Sequence, residues 1–246
     1  MATINNALNN QSTTDIASTT QTFLISNSVN AGTSAAQLQV SVAGAGTSGD
    51  PQTSYIVTGA TTWSVGIDNS ASDAFTIATS ATLGTANAQT ISTAGAARWP
   101  LQPAWLAYVN TSVTNATGTG TVFTLGTTNA FTEIFDKSGE FNTNGTFTSS
   151  VDGQYYIAGN VELSNCTVNT GIQIQFVTSN RTYQNKFNRT AANTVNSISL
   201  STLADVDNGD TITMTVAGFG EAGDTNTLDG TGGGGLINFF CGYLVG

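Results

Sequence analysis

Residues 171–177 read G-I-Q-I-Q-F-V, which sets Ile172, Ile174 and Phe176 on one side of an extended strand and Gln173 and Gln175 on the other. Side chains alternate between the two faces of a strand, so this pattern marks a strand with one face in a core. Residues 211–216 repeat it, with Ile212, Met214 and Val216 set against threonines. Ten stretches of this kind are expected: 105–109, 122–125, 133–136, 146–148, 154–163, 171–178, 181–187, 195–203, 211–216 and 236–245. Short runs separated by turn residues predict a two-sheet antiparallel sandwich.

The N-terminal part is patterned less sharply. Residues 1–20 are polar and read as an arm or anchor. Short strands are expected at 23–26, 38–44, 53–58, 63–67 and 74–78, parted by Gly, Asp and Asn. Their apolar content is small for an isolated sandwich, so the segment needs neighbours: its own C-terminal domain or the same segment in other subunits. Arg98-Trp99-Pro100-Leu101-Gln102-Pro103 looks like a stiff connector, because proline fixes φ and restricts the residue before it. The expected organisation is an arm at 1–20, a β-rich attachment or fibre-like domain at 21–97, and a sandwich at 98–246 with its linker at about 98–104.

Composition narrows the function. Only 8% of the 246 residues are charged, and Thr, Ser, Asn and Gly fill the gap, so the fold class is all-β. The net charge of −10 argues against nucleic acid as a partner, because phosphate binding needs clustered Lys and Arg. No window approaches the length of apolar chain that spans a bilayer, so membrane insertion is not expected. The chain has no histidine, which removes the commonest general base, triad partner and metal ligand. No enzyme activity and no cofactor are expected. Cys166 and Cys241 match no metal spacing and are expected to be buried free thiols. Met1 leads into a polar stretch with no apolar signal region, so synthesis in a cytoplasm without a signal peptide is expected.

Several residues carry a family resemblance. Phe141-Asn142, Gly145-Thr146-Phe147-Thr148 and Val151-Asp152-Gly153-Gln154-Tyr155-Tyr156-Ile157 resemble the central signature of C1q-like domains. Residues 203–212, L-A-D-V-D-N-G-D-T-I, and 239–245, F-F-C-G-Y-L-V, are similar to that family's later turn and closing strand. The resemblance implies a ten-stranded jelly roll like that of tumour necrosis factor, and a tight homotrimer. Ser150 stands where the family usually has a proline, and no collagen-like stalk is present. Gly49-Asp50-Pro51, Trp63-Ser64-Val65-Gly66-Ile67-Asp68-Asn69-Ser70 and Asp73-Ala74-Phe75 are similar to a segment of phage tail-fibre-like proteins, and Ile91-Ser92-Thr93-Ala94-Gly95 continues it. Three copies of such a segment could wrap round one axis.

The expectation is a phage virion surface protein without enzymatic activity. It would be a homotrimeric capsid decoration (cement) protein or head fibre that displays the jelly roll as a knob. Its N-terminal region would bind another virion protein, such as the major capsid or a tail protein. The alternative is a tail-fibre tip or receptor-binding protein that recognises host-surface glycan; a polysaccharide-degrading tailspike is more remote. Tyr155, Tyr156, Phe239 and Tyr243 are candidates for core or trimer interface. Arg181, Lys186 and Arg189 gather three of the five basic residues on one hairpin and are candidates for ligand or intersubunit contact. Asp205, Asp207 and Asp210 suggest half of a calcium loop, but the bidentate Glu and flanking helices of a complete one are missing, so a turn is the expected role. Glu133 with Asp136, or Glu140 with Asp152, could be named as an acid/base pair, and solvated loop charges are expected instead.

Overall fold

The computed structural model describes residues 39–42, 49–168, 170–188, 194–231 and 235–245. The chain divides into two units, Met1–Gly44 and Ala45–Gly246. Of the first, only residues 39–42 are described. They form no strand, and Val40 and Val42 face solvent with no described strand beside them, so the strand expected at 38–44 is not formed there. The expected arm at 1–20 and strand at 23–26 lie outside the described residues.

The second unit opens with a five-stranded antiparallel meander: β1 (Gln52–Val57), β2 (Thr61–Asp68), β3 (Ala74–Ala78), β4 (Asn87–Ile91) and β5 (Ala97–Arg98), paired in chain order. A single turn of 3-10 helix, Asn69–Ala71, links β2 to β3. Asp68 caps it, accepting from the Ala71 N–H at 3.1 Å and the Ser70 hydroxyl at 2.7 Å. The turn-forming Asp68-Asn69-Ser70 therefore acts as its composition suggests.

Thirteen strands follow: β6 (Ala104–Val109), β7 (Val113–Thr117), β8 (Phe123–Thr124), β9 (Phe131–Asp136), β10 (Phe141–Asn142), β11 (Thr146–Thr148), β12 (Gly153–Ser164), β13 (Gly171–Thr178), β14 (Thr182–Asn188), β15 (Val195–Val206), β16 (Thr211–Phe219), β17 (Asn226–Leu228) and β18 (Phe239–Leu244). Two sheets result. In the first, β9, β6, β18, β12 and β15 lie side by side, with β17 and β7 continuing beyond β12. In the second, the order is β10-β11-β16-β13-β14, and β8 adds to β16.

The long strands nest. The first, β6, pairs with the last, β18; β11 pairs with β16, β12 with β15, and β13 with β14. First with last, second with second-last, and so inward, is the pairing of a jelly roll. The fold is an all-β jelly-roll sandwich preceded by a short-stranded sheet.

One core fills the sandwich. Trp105 stacks on Phe147 with centroids 4.0 Å apart, and Phe240 meets it edge-on at 5.5 Å. Phe141 lies parallel to it at 6.3 Å, and Tyr155 joins through Phe147 at 5.5 Å. Phe141, Phe147, Tyr155 and Phe240, the inward aromatic residues of the C1q-like motifs, thus form one cluster around Trp105. Gly242 lies directly opposite Trp105 across the β18–β6 pair, and a Cβ there would run into the indole ring. Glycine is needed at that point by close approach, not by its dihedral freedom.

Candidate interaction surface

In β6 both phases of the alternation are apolar. Trp105, Ala107 and Val109 point into the sandwich, and Leu106 and Tyr108 point out. The same doubling occurs in β18, where Phe240 is buried while Phe239, Cys241 and Tyr243 face outward. The register aligns these outward residues into rows across the first sheet. Leu203, Tyr156, Tyr243 and Ala104 form one row; Ser201, Ala158, Cys241, Leu106 and Phe135 form the next. A third row runs from Ser199 through Asn160, Phe239 and Tyr108 to Thr132.

None of these positions carries a charge. Tyr243 is 49% exposed, Leu203 56% and Phe135 42%, and the Tyr156 and Tyr243 rings lie 5.4 Å apart. A register shift between Leu106 and Ala107 bulges β9 and turns both Ile134 and Phe135 outward. A hollow of about 380 Å³ opens on this face between Leu106, Phe135, Cys241 and Tyr243, with Lys137 and Gln102 at its rim. Contiguous exposed apolar surface of this kind marks an association site.

The outer face of the second sheet differs. Gln173 and Gln175 both donate to the Gln184 side-chain oxygen, at 2.7 and 3.1 Å, and Thr215 donates to Gln175 at 3.2 Å. Polar groups that satisfy one another and water need no protein partner.

The sequence-predicted residues divide accordingly. Tyr156, Phe239 and Tyr243 come together on the aromatic face. Tyr155 does not: it is wholly buried, with its hydroxyl 2.9 Å from Ser149 Oγ and donating to the Val151 carbonyl at 3.0 Å. Burial pushes its phenol above the ordinary value. Its place is in the core.

Cys166 is buried, and its thiol lies 3.3 Å from the Leu163 carbonyl. Cys241 forms no disulfide and is only half-buried, because it sits on the aromatic face and not within the core. Burial raises its thiol above the ordinary value, and the hydrogen bond with the Ala158 backbone offsets only part of that rise. Arg181 lies exposed beside the β13–β14 turn, while Lys186 lies over the Phe219 ring at 4.0 Å on the polar sheet. Arg189 is outside the described residues.

The carboxylates tie turns. Asp210 accepts from the Asp207 N–H at 3.1 Å and from the Asn180 amide at 2.6 Å, and Gly209 holds the turn at a φ of 90°. Asp205 projects from the exposed side of β15, away from that bond set. Among the described residues no group of three His, Cys, Asp or Glu side chains is gathered to hold a metal ion. Asp136 accepts from the Gly139 and Phe141 N–H groups at 3.1 and 2.9 Å, and Asp152 from the Asn208 N–H at 2.6 Å. Glu140 accepts from the Ser150 N–H at 3.0 Å and from the Ser150 hydroxyl. That bond gives a physical reason for serine at this position, since proline has no N–H to donate.

Glu221 was not foreseen. Its carboxylate accepts from the Thr167 hydroxyl at 2.8 Å and the Val168 N–H at 2.9 Å, fastening the β12–β13 loop to the β16–β17 loop. Burial pushes its carboxyl up, but the bonds from Val168, Thr167 and Asn226 together outweigh burial and hold it below the ordinary range. An isolated Glu in a Gly-rich stretch gives no signal of this role.

Neither a family model nor a curated protein matches the chain. Among solved structures, the globular domain of zebrafish complement 1qA protein aligns with a TM-score of 0.39 and 15% identity, over 58% of this chain and 98% of that one. Murine APRIL aligns with a TM-score of 0.40 and 12% identity, over 58% of this chain and 99% of its own. The identification of the jelly roll stands on the nested strand pairing.

Proposed function

We propose that this chain is a non-enzymatic, homotrimeric surface protein of a phage virion, a capsid decoration (cement) protein or head fibre that displays its jelly roll as a knob. The observation that carries the association is the band of uncharged, largely aromatic rows on the outer face of the first sheet, between Asp205 at one end and Glu162 at the other. In a chain of net charge −10, copies meet most readily where charge is missing and apolar surface is exposed. The threefold order follows from the resemblance to C1q-like domains, and the phage setting from the resemblance of residues 49–95 to tail-fibre-like segments. Of the carboxylates that could be read as acid/base groups, Asp136, Glu140 and Asp152 tie turns and Glu133 lies exposed on β9, which favours a structural role over hydrolysis. In this reading the arm at 1–20 and the region at 21–97 attach to another virion protein, and the knob at 98–246 faces outward. Antibody against the knob, imaged on intact particles, tests the setting. Dense labelling of the head is expected. Sparse label confined to the tail would move the protein to a fibre tip, and no label on particles would overturn the virion role.

A further inference from the structure

The sheet of residues 52–98 hides its small and polar side and displays its apolar one. Ser64, Asp68, Thr76 and Ala78 are buried on one face, where Gly84 of the 79–86 loop lies against Asp68; Leu83 of that loop is buried too. Gln52 ties that loop down by donating to the Ala81 carbonyl at 3.0 Å. The opposite face carries the large residues. Tyr55 pairs with Trp63, Val65 with Ile77, and Ile67 with Phe75, which in turn meets Ile91. Tyr55, Trp63 and Phe75 are 63%, 43% and 41% exposed. The buried cluster of the sandwich contains no residue of this sheet, and the sheet's own buried hydrophobic side chains are Ala74, Ala78 and Leu83 among the described residues. So small a core does not hold five strands together in isolation.

We infer that this face is a second self-association surface, distinct from the sandwich face, on which copies of the chain pack against one another. Two observations select a second copy over an unrelated partner. The face carries no charge although the chain is strongly acidic; Asp50 and Asp73 flank the sheet on its turns, and Asp68 is on the covered side. Like-charged copies can meet only where charge is missing, whereas a basic partner would be drawn to the acidic surface. The sheet also belongs to the same compact unit as the sandwich. Copies joined by their sandwiches therefore present this face to one another at an effective concentration on the order of millimolar. To that extent the inference rests on the trimeric reading above.

Site-directed cross-linking in the full chain tests it. Thr53→Cys lies exposed on the apolar face, and Ile56→Cys on the opposite one; each is made with Cys241→Ser, and buried Cys166 is left in place. A short bismaleimide is expected to give covalent dimers from Thr53→Cys and at least tenfold less from Ile56→Cys. Adding Trp63→Glu and Phe75→Glu is expected to abolish the Thr53→Cys product while the mass in sedimentation stays unchanged. An oligomer that yields no product from Thr53→Cys, or equal product from both positions, overturns this inference alone. A monomer without product overturns it together with the trimer.

Discussion

The two sheets of the sandwich share one core, yet their outer faces have opposite chemistry. Outward positions of β13 and β14 are Gln173, Gln175 and Gln184, bonded to each other; those of β18 and β12 are Phe239, Cys241, Tyr243 and Tyr156. Inward alternation shows that a strand belongs to a core. The outward phase shows what each face suits: water on the amide face, an apolar partner on the aromatic face. In β6 and β18 both phases are apolar, which is the mark of a sheet buried on both sides once assembled.

Charges placed on one face and then the other give the largest contrast. Tyr156→Lys with Tyr243→Lys is expected to convert the oligomer to monomer, because unpaired ammonium groups inside an apolar interface cost several kcal/mol each. Gln173→Lys with Gln175→Lys on the polar sheet should leave the mass unchanged. Sedimentation of both variants checks this, and equal effects would erase the distinction between the faces. Next in size, Trp105→Ala should destabilise the sandwich by about 3–5 kcal/mol in chemical denaturation, since it removes the ring that joins the two sheets. Both faces should suffer together, in contrast to the lysine variants.

Smaller effects probe the loops that frame the sheets. Ser150→Pro removes the backbone donor to Glu140, a loss of about 1 kcal/mol in the same assay. Glu221 gives a pH signature. Its carboxyl is held below the ordinary value, so its contribution is full above the unfolded value, about 4.3, and fades as pH falls through the folded one. Wild type should therefore lose stability more steeply than Glu221→Gln as the solution is acidified below that value. Parallel curves would show that the carboxylate adds nothing.

Much of this organisation is legible in the sequence, for physical reasons that differ by element. In β13 and β16 strict alternation gives element, span and inward face at once. The C1q-like motif residues Phe141, Phe147, Tyr155 and Phe240 are spaced irregularly along the chain, yet the fold assembles them around Trp105. Other strands are silent. Asn87–Ile91, Val113–Thr117 and Asn226–Leu228 are mostly amides, hydroxyls and small residues, and neighbouring strands impose their extended form. Asn115, at a φ of 57°, interrupts β7 in a way that no local pattern announces. Of the candidate surface, the aromatic residues of β12 and β18 are readable. Leu106, Tyr108 and Phe135 join them only through the β6–β18 and β6–β9 registers, which link distant segments.

The central claim is that the aromatic face of the first sheet holds three copies together. Equilibrium sedimentation of the intact chain at micromolar concentration tests it most directly. A single species at three times the chain mass of 25.2 kDa is expected. A single species at 25.2 kDa would contradict it.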